Sequence, residues 1–502
     1  MVIFQQKYLH NIHKIHKFAY QKPLNMKKII ARKEEIKELE RLYQSDRSEL
    51  VIVFGRRRIG KTFLINHLFG DRFTYTFVGV RGQSQKHQLE MFARQLQAYS
   101  GSTFTPNPQT WDEAFYLLRD LINSKPKQER KVIFFDEMPW IDRPRSNFVA
   151  AFEYFWNAWA AQRDDIFFIA CGSATSWMVD KLVKNKGGLY NRITGRIYLR
   201  PFNLSECEEY LHAHDCTWDR YTILQCYMAM GGVPYYLSQI NPQQSLAQNI
   251  DRLFFTKNSI MSNEFDELFT ALFNKAEHYI EVIKMMAEKR EGFLRSEISE
   301  KTKLNGSQLT HILENLERCD FIMTYQKYKS KKRNMIYRIS DPYILFYFKF
   351  IKNYDYKDPQ FWSHNLMSPS LSSWQGFSFE MLCLLHLQQI KKALGISGIA
   401  TYSTAWRKTG DTAQKGAQID LLIERADRFI NLCEIKFCSG AYNITKQYED
   451  KLREKMRIFR DDTHTTKPLL LTMVTTFGVA RGIHSSIVTN EVLMDSLFEN
   501  DK

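Results

Sequence analysis

The apolar positions of this chain follow two patterns that alternate in its first part. Continuous apolar runs at residues 50–54, 73–80, 132–135 and 166–171 predict buried strands. Between them, apolar residues with helical spacing predict helices at residues 27–45, 89–99, 111–122 and 152–161. Continuous apolar strands separated by helices are typical of a parallel sheet that is covered on both faces. The pattern therefore predicts an α/β domain.

The pattern changes after residue 203. Residues 204–273 have helical spacing, with a break at residues 231–234, whose sequence is Gly-Gly-Val-Pro. Residues 276–340 predict a small winged-helix unit, with helices at 279–288, 295–302 and 307–318 and a two-stranded wing between 325 and 339. Helix and strand patterns mix again from about residue 374 to 490. Residues 1–25 are predicted to be a disordered extension, in which His10, His13 and His16 form either a metal site or a solvated helix face.

A phosphate-binding motif follows the first predicted strand and opens the next helix. It fits G-x-x-x-x-G-K-[ST] and reads Gly55, Arg56, Arg57, Arg58, Ile59, Gly60, Lys61, Thr62. Glycines let the backbone N–H groups turn toward phosphates, and the helix N-terminus adds positive potential. Lys61 can reach the β- and γ-phosphates, and Thr62 can offer its hydroxyl to Mg²⁺. The motif predicts a nucleotide site but does not select the base.

Asp136 and Glu137 directly follow the predicted strand at 132–135. An acid at this position can hold Mg²⁺ through water, and a second acid can polarise the attacking water. Ser173 follows the next strand and is expected either to sense the γ-phosphate or to cap a helix, with Thr175 in reserve. Arg192 is a candidate arginine finger, with Arg196 as its alternative, although surface arginines are common.

The motifs of the first half resemble the archaeal-type ATPase family, a branch of the AAA+-like and signal-transduction P-loop ATPases. The resemblance covers residues 27–275 and rests on Arg32 with Glu35 and Leu39, on the motif 55–62, and on the segments 135–137, 171–173 and 231–237. It implies ATP and Mg²⁺ as ligands, phosphate and metal binding by the loop, Asp136 as the metal acid and Glu137 as the catalytic base. We therefore expect a P-loop ATPase core at 26–203, a helical lid at 204–275 and a C-terminal domain at 341–490.

A second candidate site lies near the C-terminus. Apolar strands at 419–423 and 429–435 are joined by a polar turn and predict a hairpin that brings Asp420 beside Glu434. Glu434 and Lys436 alternate with apolar neighbours and therefore point to one face. Two carboxylates and a lysine form a plausible Mg²⁺ site for phosphodiester hydrolysis, in which the acids hold the metal and the lysine steadies the attacking water. The alternative is a surface hairpin whose charges only solubilise it.

The spacing D-…-E-x-K resembles the core of the restriction-endonuclease-like superfamily. Glu380 matches the helical acid that often precedes that core, and residues 340–470 resemble an uncharacterised domain that is commonly fused behind archaeal-type ATPases. The resemblance implies an α/β restriction-endonuclease-like fold. It leaves the cutting activity open, because a fold does not prove a chemistry.

The charge and cysteine content add expectations about partners and location. A net charge of +15 over 502 residues favours anionic partners, with nucleic acid first. The predicted wing is rich in basic residues, with Tyr325 and Tyr328 among them. These residues form either a DNA-binding wing or a solvated tip. They are Lys327, Lys329, Lys331, Lys332 and Arg333. Eight cysteines without a C-x-x-C pair predict reduced thiols and a cytoplasmic protein, and no apolar run is long enough to span a membrane.

Together these features favour an ATP-driven switch that controls a DNA-directed, nuclease-like domain. The alternative is a regulatory or scaffolding ATPase whose C-terminal domain only binds nucleic acid or protein. A chaperone or transporter subunit is favoured less, because the sequence shows no pore loop or transporter motif. A homo-oligomer is possible, and an arginine finger could then act between copies.

Overall fold

The computed structural model describes residues 29–173, 175–184, 187–189, 191–273, 275–329, 335–409 and 416–500. The predicted N-terminal extension, with its three histidines, lies outside these residues, as do Lys331, Lys332 and Arg333 of the wing. The described residues form three β-sheets, and helices connect and cover them.

The first sheet has the order β2-β3-β4-β1-β5, and all its strands are parallel. Its strands are β1 Glu49–Phe54, β2 Phe73–Val78, β3 Lys131–Asp136, β4 Ile166–Gly172 and β5 Gly195–Tyr198. The helices of this part are α1 Lys33–Tyr43, α2 Lys61–Phe69, α3 Gln85–Ser100, α4 Trp111–Asn123 and α5 Phe148–Ala158. The four apolar runs are strands, as predicted. The pattern missed the short edge strand β5, because its four residues alternate between buried and partly or fully exposed positions.

Helices cover both faces of this sheet, as the continuous apolar strands predict. One face packs on α3, α4 and α5 through a largely aromatic cluster that includes Phe92, Phe115 and Phe152. The other face packs on α1 and α2 through residues such as Leu39 and Leu64. A parallel sheet that is buried on both faces needs apolar residues at successive positions, which explains the continuous runs.

Residues 204–272 are mainly helical, and one of the breaks between the helices falls at the glycine pair. The helices are α6 Leu204–His212, α7 Arg220–Met230, α8 Pro234–Leu237, α9 Leu246–Ile250 and α10 Glu264–Leu272. Gly231 has a φ of +64°, and a Cβ on Gly232 would lie 1.8 Å from the carbonyl oxygen of Phe202. The break is therefore required by a close approach of two backbone segments.

Three helices and a three-stranded antiparallel sheet follow. The order along the chain is α11 Ala276–Met286, β6 Phe293–Leu294, α12 Arg295–Thr302, α13 Gly306–Arg318, β7 Ile322–Gln326 and β8 Met335–Ile339. The sheet order is β6-β8-β7. Tyr328, expected on an open wing, is buried against Trp406 and Phe459 of the C-terminal region. The base of the wing is therefore packed rather than free.

The C-terminal region contains a mixed five-stranded sheet of order β13-β12-β11-β10-β9. Its helices are α14 Pro342–Phe346, α15 Phe361–His364, α16 Pro369–Leu385, α17 Leu387–Ala393, α18 Lys446–Thr463 and α19 Met494–Leu497. Its strands are β9 Thr401–Lys408, β10 Ala417–Arg425, β11 Ile430–Lys436, β12 Leu469–Thr475 and β13 Asn490–Leu493. Strands β9, β10 and β11 are antiparallel, and β11, β12 and β13 are parallel. Helix α18 makes the crossover between β11 and β12, and α16 packs against β11.

One continuous apolar cluster extends from the helical segment through the third unit into the C-terminal region. The boundaries expected at residues 275 and 340 therefore do not separate independent cores. No helix in the described ranges combines the length and the apolar character that a membrane crossing needs.

Candidate nucleotide site and second acidic site

The loop between β1 and α2 has the backbone that the phosphate-binding motif requires. Gly55 has a φ of +146° and Gly60 a φ of +87°. A Cβ on Gly55 would lie 2.2 Å from the carbonyl oxygen of Leu199, so only glycine fits there. A Cβ on Gly60 would meet nothing within 4 Å, which leaves open space at the start of α2. The helix N-terminus and the loop amides can therefore receive an anion.

The side chain of Lys61 lies inside this loop and binds its backbone. Its ammonium group donates to the carbonyl oxygens of Gly55 at 3.0 Å and Arg56 at 2.9 Å. The side chain is buried, and these two carbonyls satisfy its charge. The ammonium group is thus held at the loop, next to the space that phosphate groups would occupy.

Thr62 and Asp136 meet across the sheet. Strand β4 lies between β1 and β3, which places the phosphate loop and the acid pair at the same carboxyl edge. The Thr62 hydroxyl donates to Oδ2 of Asp136 at 2.7 Å, and the N–H of Glu137 donates to Oδ1 at 2.9 Å. A hydroxyl oxygen and a carboxylate are hard oxygen ligands that suit Mg²⁺. These two residues therefore fit a Mg²⁺ ion that accompanies a nucleotide.

Glu137 is held by Ser173. The Ser173 hydroxyl lies 2.9 Å from Oε1 and 2.8 Å from Oε2 of Glu137, and its N–H donates to Oε2 at 3.2 Å. Burial raises the pKa of Glu137, while the nearby charge of Lys61 and the bonds from Ser173 oppose that rise. The structure thus brings Ser173 to the acid, where it orients the carboxylate.

The three arginines of the loop have different surroundings. Arg56 is buried and forms an ion pair with Asp341. Arg58 forms an ion pair with Glu264 at 2.7 Å. Arg57 is half-buried, and its side chain has no hydrogen bond or ion pair with any described residue. The side chains of Arg56 and Arg58 therefore point away from the phosphate cradle, and only their backbone contributes to it.

Arg192 is not brought to this site. The N–H of Thr194 donates to the carbonyl of Leu50, and Arg196 is in register with Ile52. The exposed Arg192 therefore lies near the amino end of β1, whereas the phosphate loop follows its carboxyl end. At about 3.3 Å per residue, the length of β1 separates Arg192 from the loop of its own chain. Its role as a finger would need another copy of the chain and stays a prediction.

The second group of predicted residues does come together. Strands β10 and β11 pair with Leu421 opposite Cys433, which places Asp420 beside Glu434. The N–H of Ile435 donates to Oδ2 of Asp420 at 3.1 Å, and the Lys436 ammonium lies 2.8 Å from Oε1 of Glu434. The hairpin therefore forms with the register that the alternating pattern implies.

Two residues that the sequence reasoning missed also hold Glu434. The Tyr448 hydroxyl donates to Oε1 and the Lys455 ammonium to Oε2, each at 2.7 Å. Both lie on α18, seven positions apart, and a residue pair at this spacing shares one helix face. A tyrosine and a lysine on one face of the helix after the E-x-K strand are a signal that could have pointed to them.

Glu380 on α16 completes the group through its charge interactions. Burial and then the nearby Asp420 raise the pKa of Glu380 to about 7, while Arg338 and Lys436 oppose the rise. Burial and Glu434 also raise the pKa of Asp420. Burial alone would raise the pKa of Glu434, but the charges of Lys436 and Lys455 outweigh the effect of burial, and the pKa is lowered.

The expected metal ligands are not arranged as a closed metal site. Among the described residues, no three His, Cys, Asp or Glu side chains stand close enough to enclose a metal ion. Protein donors occupy both oxygens of Glu434, so a cation there would have to displace Lys436 or Lys455. Asp420 and Glu434 thus have the right chemistry for Mg²⁺, but not an assembled geometry.

A parallel sheet with a phosphate loop after β1 and an acid pair after β3 defines a P-loop ATPase. Residues 29–240 match the family described as "ATPase domain predominantly from Archaea". These residues therefore form a domain of the archaeal ATPase type, which supports the binding and hydrolysis of ATP.

Two proteins of Methanocaldococcus jannaschii are similar to this chain. The uncharacterized protein MJECL04 is 24% identical over 440 residues, which cover 86% of this chain and 93% of that protein. The uncharacterized ATP-binding protein MJ0423 is 50% identical over 43 residues, 9% of this chain and 73% of that protein.

Solved structures are similar at low identity. The Walker-type ATPase paby2304 of Pyrococcus abyssi is 18% identical and has a TM-score of 0.47, with 64% of this chain and 96% of that chain covered. The ORC2 protein of Aeropyrum pernix is 16% identical and has a TM-score of 0.38, with 63% of this chain and 93% of that chain covered.

Proposed function

We propose that this protein is an ATP-driven switch whose C-terminal region acts on nucleic acid through a nuclease-like site. The observation that carries the proposal is the hairpin that brings Asp420 together with Glu434 and Lys436. These residues lie in the same chain as an ATPase domain. The net charge of +15 supports an anionic partner.

In the ATPase domain, the geometry supports distinct roles for the residues around the loop. The backbone from Gly55 to Gly60 receives the phosphates, and Lys61 neutralises the β- and γ-phosphates. Thr62 and Asp136 would hold Mg²⁺, which supplies charge neutralisation when it is bound. Glu137 accepts the proton of the attacking water, and Ser173 positions its carboxylate.

The order of elements supports a winged-helix unit at residues 276–340. A helix, a short strand, two helices and two strands form a compact unit around a three-stranded sheet. The exposed positions of α13 include Glu314 and Glu317, and Arg318 is paired with Asp180 at 3.0 Å. The other exposed side chains of α13 are Ser307, Thr310 and His311, so this face carries two acids and no lysine and offers little charge that would attract phosphate. The unit therefore serves mainly as a coupler between the ATPase domain and the C-terminal region.

The C-terminal region supports a restriction-endonuclease-like fold. Helix α16 with Glu380 precedes three antiparallel strands, and helix α18 then leads to the parallel strand β12. Asp420 and Glu434 lie on the second and third of these strands, where they could hold a divalent ion. Lys436 is placed to steady an attacking water or the charge that develops on a phosphate.

A second candidate function is a regulatory ATPase whose C-terminal region binds without cutting. The specific observation in its favour is that Lys436, Lys455 and Tyr448 already satisfy the carboxylate of Glu434. These three donors compensate the burial of the carboxylate, so its charge needs no metal.

One experiment separates the two functions. Purified wild type and the double variant Asp420→Asn/Glu434→Gln are incubated with linear, circular and single-stranded DNA, with Mg²⁺ or Mn²⁺, and with and without ATP. The variant Asp427→Asn is the matched control, because Asp427 lies on the exposed turn of the same hairpin. ATP turnover is measured in parallel, with Lys61→Ala as the inactive reference.

Cleavage by wild type and by the control, but not by the double variant, would support the nuclease function. A dependence on ATP would show that the switch controls it. Intact ATP turnover without any cleavage would favour the regulatory ATPase.

A further inference from the structure

A groove of 810 Å³ lies between the third unit and the C-terminal sheet. One wall is formed by the segment after α11 and by β8, and the other by α16, β9 and β10. Both Glu380 and Asp420 line this groove, so it leads to the second acidic site. Five basic residues line it, including Arg290, Lys327 and Arg338, and five acidic residues line it as well.

Arg338 is the most informative of these residues. It lies on β8 and is only 8% exposed, yet its side chain forms no ion pair and no hydrogen bond with any described residue. Its Nε is buried without a partner. Glu380, Asp420 and Glu291 lie near enough to favour its charge, but burial outweighs them and lowers the pKa of Arg338. A buried guanidinium group that no anion contacts directly is rare, because burial removes its hydration. An arginine that lines a groove in this state is suited to bind a phosphate oxygen through its fork of N–H donors.

The surface of α16 leaves room for a ligand beside this arginine. Ser373, Gly376, Phe377 and Glu380 face the groove at helical spacing. A Cβ built on Gly376 would meet nothing within 4 Å, so packing within the protein does not require a glycine there. Glycine is unfavourable inside a helix, and its presence beside open space is typical of a position that another backbone approaches closely.

Phe377 provides an apolar surface next to the cations. The guanidinium carbon of Arg290 lies 5.0 Å from the centre of its ring, and that of Arg338 lies 5.3 Å from it. Aromatic rings beside basic side chains are the arrangement that stacks unpaired bases while the cations hold the backbone. A base in a duplex is stacked between its neighbours and paired, so it cannot use this ring.

The size of the groove also favours an unpaired strand. Its volume is in the range of about 300–1,000 Å³ that encloses a small ligand, which corresponds to a few nucleotides. Its two walls face each other, whereas each strand of a duplex is covered by its complement.

We propose that this groove binds an unpaired strand of nucleic acid, with Arg338 on a backbone phosphate and Phe377 against a base. The strand then runs past Gly376 toward Glu380 and Asp420. This inference rests on the proposed action of the C-terminal region on nucleic acid. It adds that the ligand is single-stranded and identifies the residues that bind it.

The test measures binding without cleavage. The full-length protein is titrated into fluorescein-labelled single strands of DNA and of RNA, each about 12 nucleotides long, in EDTA and without nucleotide. A duplex of the same DNA sequence is the comparison. The variants are Arg338→Gln, Arg338→Lys and Gly376→Leu.

Matched controls lie outside the groove. Arg457→Gln removes an exposed arginine from α18, and Gly398→Leu adds a side chain at another glycine with open space around it. The DNA and RNA arms show which kind of strand the groove prefers.

Arg338→Gln and Gly376→Leu are expected to weaken single-strand binding by about 10- to 100-fold, which is the loss expected for a charge-assisted contact. Arg338→Lys should lie between wild type and Arg338→Gln, because lysine keeps the charge but not the fork. The controls should bind like wild type. Wild type should bind the single strand more tightly than the duplex.

Two results would overturn the inference. The first is wild-type affinity for the single strand in Gly376→Leu. Leucine is favourable in a helix, so this variant tests the inference even if Arg338→Gln fails to fold. The second is the absence of a preference for single strands, either because the duplex binds more tightly or because neither strand type binds. If the groove variants cleave DNA normally, the groove does not bind the strand that is cut, but the nuclease function stands. Groove-dependent binding without cleavage would keep the groove and support the regulatory ATPase.

Discussion

Arg56, inside the phosphate loop, forms a buried ion pair with Asp341, the residue that caps the first helix of the C-terminal region. Asp341 also accepts the N–H of Ile344 at 2.7 Å, and the guanidinium group of Arg56 lies 4.7 Å from the ring centre of Phe321. The loop that surrounds the nucleotide is thus joined directly to the junction of the third unit and the C-terminal region. This contact links the phosphate loop to the segment that leads from β8 into the C-terminal region.

The effects of Arg56 and Asp341 on the free energy of unfolding should be strongly coupled. Burial alone would lower the pKa of Arg56, but the charge of the adjacent Asp341 outweighs the effect of burial, and the pKa is raised. Arg56→Met or Asp341→Asn leaves one buried charge without its partner, at a cost of about 3–5 kcal/mol. The double variant should lose much less than the sum of the two. Urea unfolding of the four proteins measures this coupling.

The exposed pair of Arg41 and Glu38 on α1 is the matched control for that cycle. Its coupling should be small, because solvent screens exposed ion pairs. Additive losses for Arg56 and Asp341 would mean that the buried pair contributes no more than the exposed one.

Glu137 and Ser173 should determine the pH dependence of ATP hydrolysis. A base acts only when it is deprotonated, so the rate should rise with pH through the pKa of Glu137, which burial raises. The bonds from Ser173 stabilise the carboxylate, and Ser173→Ala should therefore shift this rise to higher pH. Glu137→Gln should still bind ATP but lose about 100-fold or more in turnover. An unchanged pH profile in Ser173→Ala would contradict the role of its hydroxyl.

Glu380 should make the protein less stable as the pH rises. Its pKa is about 7 in the folded protein against an ordinary value of 4.5, so the folded state binds the proton more tightly. Stability linked to this group is present below pH 4.5 and is lost as the pH rises through about 7. Glu380→Gln should therefore gain stability relative to wild type over this window. Chemical unfolding at several pH values measures the difference, and Glu424→Gln on the same sheet is the control.

Gly232 should tolerate no side chain. A Cβ there would lie 1.8 Å from the carbonyl oxygen of Phe202, and a backbone oxygen cannot move without disturbing its segment. Gly232→Ala should destabilise the protein by about 1–3 kcal/mol or more. Gly376→Ala, which has open space, should instead stabilise helix α16 by about 1 kcal/mol. Thermal unfolding of both variants tests the contrast, and equal midpoints would contradict it.

The sequence by itself determined the features that depend on neighbouring residues. The phosphate loop at 55–62 could be predicted because its glycines, lysine and threonine act within one turn of chain. The acid pair at 136 and 137 and the hairpin that carries Asp420 and Glu434 could be predicted for the same reason. Apolar runs and apolar–polar alternation reflect the burial of neighbouring residues. The strands could therefore be predicted, although their order in the sheet could not.

Only the tertiary structure decided which distant segments meet. The pairing of Arg56 with Asp341 and the bond from Lys455 to Glu434 join residues that no local pattern relates. The sheet register places Arg192 at the far edge from its own loop, and packing buries Tyr328 of the wing. The groove beside Arg338 exists only because two units face each other. Such contacts depend on the positions of whole elements, which are set by the sum of many packing interactions rather than by any single motif.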